Sequence, residues 1–291
     1  MSHEGQTAPV PSGEATDYRP PERIVGVDFS GDARAAGRKI WLAEATIEGD
    51  GVRVRDCAPV ADRLDVSAAR EESIPALTRF LASLPESAAV GLDFPFGLPR
   101  EVVPAASWSA FLRAFPGWFD SPDALRRRCR ERAAVAGESG QLFRATDEHL
   151  GALSPWNLRL RTQTFFGIRD VLRPLALAAA VRAAPMQAPE PDRPTLLEVY
   201  PAATLAELDC DATGYKDGGE AARERRADLV DRLGDEGVDL ADEMRETVVE
   251  DDAGDALDSV LAAFAAARNA ADPANLHTTH ERLRVEGYVY V

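Results

Sequence analysis

The sequence is 291 residues long and acidic, with 49 Asp and Glu against 33 Lys and Arg and a formal net charge of −16. Because phosphate backbones require compensating cations, this balance argues against tight nonspecific binding of nucleic acid. A hydrophobic fraction of 45% excludes disorder throughout the chain. No apolar run approaches the roughly 20 residues of a membrane span, and residues 1–22 lack the apolar core of a secretory signal. We expect a cytoplasmic protein without a membrane partner, in which a disordered tail over residues 1–22 precedes a single domain over residues 23–291.

The positive charge of the chain comes almost entirely from arginine, since the only lysines are Lys39 and Lys216. Few lysines and many acids are typical of haloarchaeal sequences, whose proteins work in high internal salt. Multimolar salt shortens the Debye length to about 3 Å or less and screens the repulsion within an acidic protein. Residues 100–182 carry 13 Arg against 8 Asp and Glu, a net charge of +5. Nucleic acid therefore stays a candidate partner, provided that this arginine-rich segment binds it.

The N-terminal part predicts three antiparallel strands, a helix and a fourth strand. Residues 23–30 and 39–47 are largely apolar, residues 52–57 alternate, and Glu48-Gly-Asp-Gly51 between the second and third runs signals a hairpin. Apolar residues at helical spacing predict a helix over 67–84. The fourth strand, at 88–95, follows this helix and is therefore expected to run parallel to the first.

The C-terminal part predicts helices, one internal strand and a terminal strand. Residues 100–190 lack strand alternation and predict a helical insertion. Residues 195–201 predict a fifth strand. Helices are expected over 219–233 and within 243–269, and the alternating residues 282–291 predict a terminal strand or extension. This order indicates one α/β domain with a helical insertion.

Four acids occupy positions where the surrounding sequence predicts burial. Asp28 and Asp93 each end an apolar run, Glu198 interrupts another, and Asp258 is the only charged residue between Ala256 and Ala267. An unpaired carboxylate at such a position costs several kcal/mol unless it is protonated or meets a cation or a metal. Each acid taken singly has a simpler interpretation, in which it pairs with an arginine or caps a helix or turn.

Asp255 lies three residues before Asp258, so both carboxylates can face the same neighbouring strand ends. We expect Asp28, Asp93, Asp255 and Asp258 to converge at one edge of the sheet. Clustered carboxylates repel one another unless cations neutralise them. Oxygen ligands of this kind suit Mg²⁺ or Mn²⁺, and two such ions promote phosphodiester cleavage.

Six short motifs occur in a fixed order: Gly26-Val-Asp-Phe-Ser-Gly31, Gly91-Leu-Asp-Phe-Pro-Phe-Gly-Leu-Pro99, Leu197-Glu-Val-Tyr-Pro201, Gly214-Tyr-Lys216, Asp252-Ala-Gly-Asp-Ala-Leu-Asp258 and Glu286-Gly-Tyr-Val-Tyr-Val291. The set resembles the predicted RNase H-like nucleases of domain-of-unknown-function family 429. The resemblance implies an RNase H-like mixed five-stranded sheet, with three antiparallel strands, then parallel strands, and helices on both faces. It also implies a metal site of Asp28, Asp93, Asp255 and Asp258, with Glu198 a further candidate ligand.

Three cations are candidates for binding a nucleic-acid substrate. Lys216 is a compact cation in a chain that otherwise uses arginine, which suits a phosphate. Arg126 and Arg130 belong to an arginine-rich run that can line a groove. The alternative for all three is an ordinary solvated surface position.

These observations predict a nuclease that hydrolyses DNA or RNA with a carboxylate cluster and two Mg²⁺ or Mn²⁺ ions. The first alternative is a noncatalytic RNase H-like scaffold that binds nucleic acid or protein. The second is an actin-like or sugar-kinase phosphotransferase, suggested by the turn at Asp28-Phe-Ser-Gly31. That class normally needs two related domains and a second Asp-x-Gly-Gly loop, and the sequence contains no such loop.

Overall fold

A computed structural model describes residues 18–136 and 142–291 of the chain. The strands within these residues are β1 (Arg23–Asp28), β2 (Trp41–Glu48), β3 (Gly51–Pro59), β4 (Ala88–Asp93), β5 (Arg182–Ala183), β6 (Thr195–Val199), β7 (Val238–Leu240) and β8 (Val289–Tyr290). The helices are α1 (Ala36–Lys39), α2 (Val60–Arg63), α3 (Arg70–Ala82), α4 (Trp108–Trp118), α5 (Pro122–Val135), α6 (Arg161–Phe166), α7 (Arg173–Leu177), α8 (Pro201–Glu207), α9 (Glu220–Asp235), α10 (Asp242–Glu250), α11 (Asp255–Ala270) and α12 (Leu283–Glu286). A π-helical segment, Gly167–Leu172, joins α6 to α7.

All of these strands belong to one mixed sheet in the order β5-β6-β4-β1-β2-β3-β7, with β8 paired to β6. The pairs β1–β2 and β2–β3 are antiparallel, and β4 is parallel to β1. The predicted mixed α/β sheet is therefore confirmed, but five strands is wrong: the described residues form eight. The strands β5 and β7 have only two and three residues, too few to show an alternating pattern.

Helices cover both faces of the sheet. On β1, Val25 packs with α3 and the helices of the insertion in one hydrophobic cluster. Its neighbour Ile24 points to the other face and packs in a second cluster with α9, α10 and α11. Between β4 and β5 the described chain is helical wherever it is regular, but the short strand β5 lies inside the range 100–190 that was predicted to be helical. Among the described residues, no helix combines the length and the apolarity needed to cross a membrane.

Three boundaries differ from the sequence prediction. The final helix is divided into α10 and α11: the extended residue Asp251 (φ −72°, ψ 100°) ends α10, and Gly254, in a left-handed conformation (φ +73°), precedes α11. The alternating residues 282–291 form the short helix α12 before β8. Residues 1–17 of the predicted tail lie outside the described residues. Its last residues pack against the fold, since the Tyr18 hydroxyl donates to the Ala270 carbonyl at 2.5 Å.

Helix α11 packs directly on the middle of the sheet because two glycines leave room for its backbone. Gly26 of β1 and Gly91 of β4 are neighbours in the parallel register. A Cβ on Gly26 would lie 1.9 Å from the Ser259 carbonyl oxygen, and one on Gly91 would lie 2.2 Å from that of Ala262. Any other residue at these positions would push the helix away from the strands. The glycine pair therefore sets the height of α11 above the sheet.

We expect Gly26→Ala to lower the free energy of unfolding by about 3 kcal/mol or more, since the new methyl group meets rigid backbone. Gly234→Ala is the matched control, because a Cβ at that position in α9 meets nothing within 4 Å. It should be neutral or stabilise the chain by up to about 1 kcal/mol through helix propensity. Denaturant unfolding of both variants checks this, and equal stabilities would contradict the proposed packing.

Candidate metal centre

Two of the predicted acids lie side by side at the carboxyl end of the central strands. Asp28 is the last residue of β1 and Asp93 the last residue of β4. The two strands are parallel, and Asp28 is the register partner of Asp93. The Gln163 side chain donates to the Asp93 carbonyl and ties α6 to this edge. The sheet register alone therefore brings two carboxylates together.

Helix α11 adds the third carboxylate. Every residue from Ala256 to Ala267 is buried, and Asp258 is 1% exposed. Carboxylate oxygens of Asp28, Asp93 and Asp258 all lie within 4.8 Å of one another. Asp255 is outside this trio but close enough for its charge to raise the pKa of Asp28. Three of the four predicted acids thus form one cluster, hereafter the aspartate trio, with Asp255 beside it.

A lysine and a tyrosine hold Asp258 in place. Lys216 donates through Nζ to Asp258 Oδ2, and the buried Tyr215 hydroxyl donates to Asp258 Oδ1 at 2.7 Å. The loop that carries both residues is anchored by Arg226, which is 0% exposed and donates to the Tyr215 carbonyl at 2.8 Å. The Lys216 side chain is 50% exposed. Lys216 was predicted as a substrate-binding residue, and the structure places its ammonium group against the aspartate trio.

The cluster holds more negative charge than its surroundings neutralise. Burial, followed by repulsion from Asp258 and Asp93, raises the pKa of Asp28 well above its ordinary value. Burial and the charge of Asp258 raise the pKa of Asp93 to about 7. Burial and the charge of Asp251 raise that of Asp255 to about 6. Although burial opposes it, the charges of Asp258 and Asp28 raise the pKa of Lys216 and keep its ammonium charged.

The donor set suits a hard divalent cation. The four aspartates lie around the ammonium group of Lys216, and their oxygens are the ligands that Mg²⁺ and Mn²⁺ prefer. Burial, and then repulsion between the carboxylates, raises the pKa values of Asp28, Asp93 and Asp255. Asp28, Asp93 and Asp258 would hold such an ion. Asp255 lies beside them and interacts electrostatically with Asp28 and Asp258.

Glu198 has a different role from the predicted one. It is 2% exposed on β6, and both of its carboxylate oxygens accept from the buried Arg144, at 2.7 Å and 2.5 Å. The Phe96 amide also donates to Glu198 at 2.7 Å, and Asp147 accepts from Arg144 at 2.7 Å. Glu198 is therefore a partner in a buried ion pair that joins the insertion to β6. The oxygens that meet within 4.8 Å at the trio belong to the three aspartates and not to Glu198, whose two oxygens both face Arg144.

A cavity of about 230 Å³ opens beside the aspartate trio. Asp93 and Lys216 line it from the cluster side, Arg159 and Gln163 from the insertion, and Tyr200 from the end of β6. The sequence pattern alone did not single out Arg159 or Tyr200. Tyr200 follows Glu198 within the Glu-Val-Tyr-Pro motif, which was the available signal.

The other predicted substrate contacts lie elsewhere. Arg126 and Arg130 are on α5, and neither lines the cavity at the cluster. Arg130 is exposed and Arg126 is half-buried. Within residues 18–136 and 142–291, no carboxylate lies within ion-pair distance of either guanidinium group. Among the described residues, Arg126 and Arg130 therefore have no carboxylate partner, and they do not line the cavity beside the aspartate trio.

The fold and the site define an α/β protein with a carboxylate cluster at the carboxyl edge of a mixed sheet. The family model described as Protein of unknown function (DUF429) matches residues 26–282. This match covers most of the chain, which therefore belongs to that family. No curated protein and no solved structure matches the chain.

The excess charge of the cluster predicts a pH-dependent stability in the metal-free protein. A carboxyl group whose pKa rises on folding takes up protons as the chain folds, so the free energy of unfolding falls as pH rises from about 4 towards 7. The pKa of Asp93 rises from 3.8 to about 7, so at about 1.4 kcal/mol per pKa unit we expect Asp93→Asn to stabilise the metal-free protein at pH 8 by up to roughly 4 kcal/mol and to have little effect near pH 4. Denaturant unfolding in a chelator at both pH values measures this.

Asp32 supplies the control. Its hydrogen bond from Lys39 lowers the pKa of Asp32 below its ordinary value, so its charged form stabilises the fold. Asp32→Asn should therefore destabilise the protein at pH 8, by about 1 kcal/mol or less. If both substitutions change stability in the same direction at pH 8, the aspartate trio is not electrostatically strained.

Proposed function

We propose that the protein is an RNase H-like nuclease that hydrolyses phosphodiester bonds of DNA or RNA with Mg²⁺ or Mn²⁺. The observation that carries the proposal is the convergence of Asp28, Asp93 and Asp258, whose oxygens lie within 4.8 Å of one another. Neutral ligands and soft metals do not need such a concentration of buried carboxylates. Phosphodiester cleavage does, because divalent cations must be held where negative charge develops.

The arrangement of elements supports the proposed RNase H-like class. Three antiparallel strands come first, β4 then pairs in parallel with β1, and a long helix near the C-terminus lies over these central strands. The acids of the trio come from the first strand, the fourth strand and this helix, as the resemblance implies. The short strands β5 and β7 lie at the two edges of the sheet, and β8 pairs with β6.

The residues of the trio have distinct parts in this proposal. Asp28 interacts electrostatically with Asp93, Asp255 and Asp258, so it would hold divalent cations together with them. When bound, the ions supply the positive charge that stabilises the attacking and leaving oxygens of a phosphodiester. Tyr215 and Lys216 fix the orientation of the Asp258 carboxylate. The half-exposed ammonium of Lys216 retains donors for a phosphate oxygen.

Arginines of the insertion offer a surface for the rest of a nucleic acid. Arg127, Arg128, Arg130 and Arg132 are exposed on α5. Within the described residues they make no ion pairs, so they concentrate positive charge on one helix of a chain whose net charge is −16. We extend the proposal to a haloarchaeal-type protein that works in high salt, so an assay requires multimolar KCl as well as dilute buffer.

We expect the chain to cleave at least one of single-stranded, branched and RNA–DNA hybrid substrates in Mg²⁺ or Mn²⁺, and to cleave none in a chelator. Asp28→Asn should lower the rate roughly a hundredfold or more, which corresponds to about 3 kcal/mol of lost transition-state stabilisation. The readout is the rate of appearance of shortened strands on a denaturing gel.

Asp32→Asn is the control for this assay, because Asp32 lies in the loop after β1 and pairs with Lys39 outside the trio. It should retain most of the activity once the protein is folded in high salt. Cleavage that is equal in Asp28→Asn, or absent for every substrate, would refute the proposed reaction. The second outcome, together with intact binding of nucleic acid, would favour the noncatalytic scaffold.

A further inference from the structure

The cavity beside the aspartate trio is closed on its far side by the helical insertion. Arg159 and Leu160 lie just before α6, and Leu153 precedes them in the same connection. Asp93 and Lys216 form the side nearest the cluster. A substrate whose phosphodiester group lies at the trio therefore has its adjoining part next to this cavity, against the helical insertion.

The size of this space restricts what enters it. An apolar cavity of about 150 Å³ accommodates benzene, so the 230 Å³ here is enough for one heterocyclic base. Pockets that hold a complete drug-sized ligand are larger, roughly 300–1,000 Å³. A base pair within a continuous duplex does not fit.

The walls suit a base with its attached phosphate. Tyr200 provides a half-buried aromatic ring, and Leu153, whose exposed fraction is 41%, provides apolar surface at the rim. The guanidinium of Arg159 is exposed, and within the described parts of the chain no carboxylate lies within ion-pair distance of it. Aromatic rings stack on bases of any sequence, and an arginine beside them neutralises the phosphate.

The innermost wall offers no further cation for a phosphate. Arg144 lines the cavity, but its Nε, Nη1 and Nη2 atoms already donate to Asp147, Glu198 and the Glu286 carbonyl. Because the N–H groups of this guanidinium already donate to protein acceptors, Arg144 forms part of the cavity wall and other groups must bind an anion. The phosphate therefore belongs at the rim, near Lys216 and Arg159, next to the aspartate trio.

We propose that this cavity binds one unpaired base, so that the protein acts on single-stranded or locally unpaired nucleic acid and not within a continuous duplex. The inference rests on the proposed nuclease function, since it names the substrate class of the same site. Tyr200 stacks on the base, and Arg159 and Lys216 contact the flanking phosphate.

The test is equilibrium binding to the full chain in Ca²⁺ and high KCl, measured by fluorescence anisotropy, because a divalent cation at the carboxylates removes their repulsion of the phosphate. The probes are a labelled single-stranded DNA, the same strand as RNA, the blunt duplex, and a duplex with a single-nucleotide bulge. We expect the single strands and the bulged duplex to bind about tenfold more tightly than the blunt duplex. Equal binding of the blunt duplex, or no binding of any probe, would overturn the inference.

Substitutions then test the cavity itself. Tyr200→Ala should weaken single-strand binding about tenfold, whereas Tyr200→Phe, which keeps the ring, should retain it. Ala152→Trp places a bulky side chain at the cavity wall and should also abolish the preference for single strands. Unchanged single-strand binding in both Tyr200→Ala and Ala152→Trp, with native unfolding curves, would show that the base binds elsewhere.

The two proposals fail in distinguishable ways. If metal-dependent cleavage is observed and duplex is cut as readily as single strands, the nuclease function stands and the base-binding cavity is wrong. If the binding preference and the effect of Tyr200→Ala are observed but no substrate is cleaved, the cavity stands and the nuclease function is wrong.

Discussion

The close approach of α11 to the sheet is the constraint on which the site depends. Gly26 and Gly91 allow the helix backbone to touch β1 and β4, and the alanines of α11 keep its other sides small enough to be covered. A helix held at that height must bring Asp258 to the ends of the two strands. The position of the third carboxylate is thus a consequence of backbone packing, because Asp258 has no freedom to move outward from a fully buried helix.

Electrostatics opposes the same arrangement. The trio gathers negative charge in a buried place, and one lysine and one tyrosine hydroxyl are the groups that the described structure sets directly against Asp258. A fold keeps such repelling groups together only when contacts elsewhere in the structure fix their positions. Here the glycine contacts, the sheet register and the Arg226 anchor provide that rigidity. At Glu198 the same chain instead sets a guanidinium group, that of Arg144, directly against both oxygens of a buried carboxylate.

Much of this site was predictable because its acids conflict with their local sequence. Asp28 and Asp93 end apolar runs, and Asp258 interrupts an alanine-rich helix, so burial and convergence followed from the pattern. The partner of Glu198 was not predictable, because Arg144 is one of many arginines and lies 54 residues away. The strands β5 and β7 are too short to have a periodicity. Arg126 and Arg130 were chosen because they belong to an arginine-rich run. The density of charge in a sequence does not show which side of the helix faces the site.

The central claim is that Asp28, Asp93 and Asp258 together bind a divalent cation. The most direct measurement is the anomalous difference map of a crystal of the chain soaked in Mn²⁺. We expect a manganese peak bound by oxygens of all three carboxylates, at roughly the 2.0–2.1 Å distances of a small divalent ion. A map with no peak at the trio, in which Asp258 is still bonded to Lys216 and Tyr215, would contradict it.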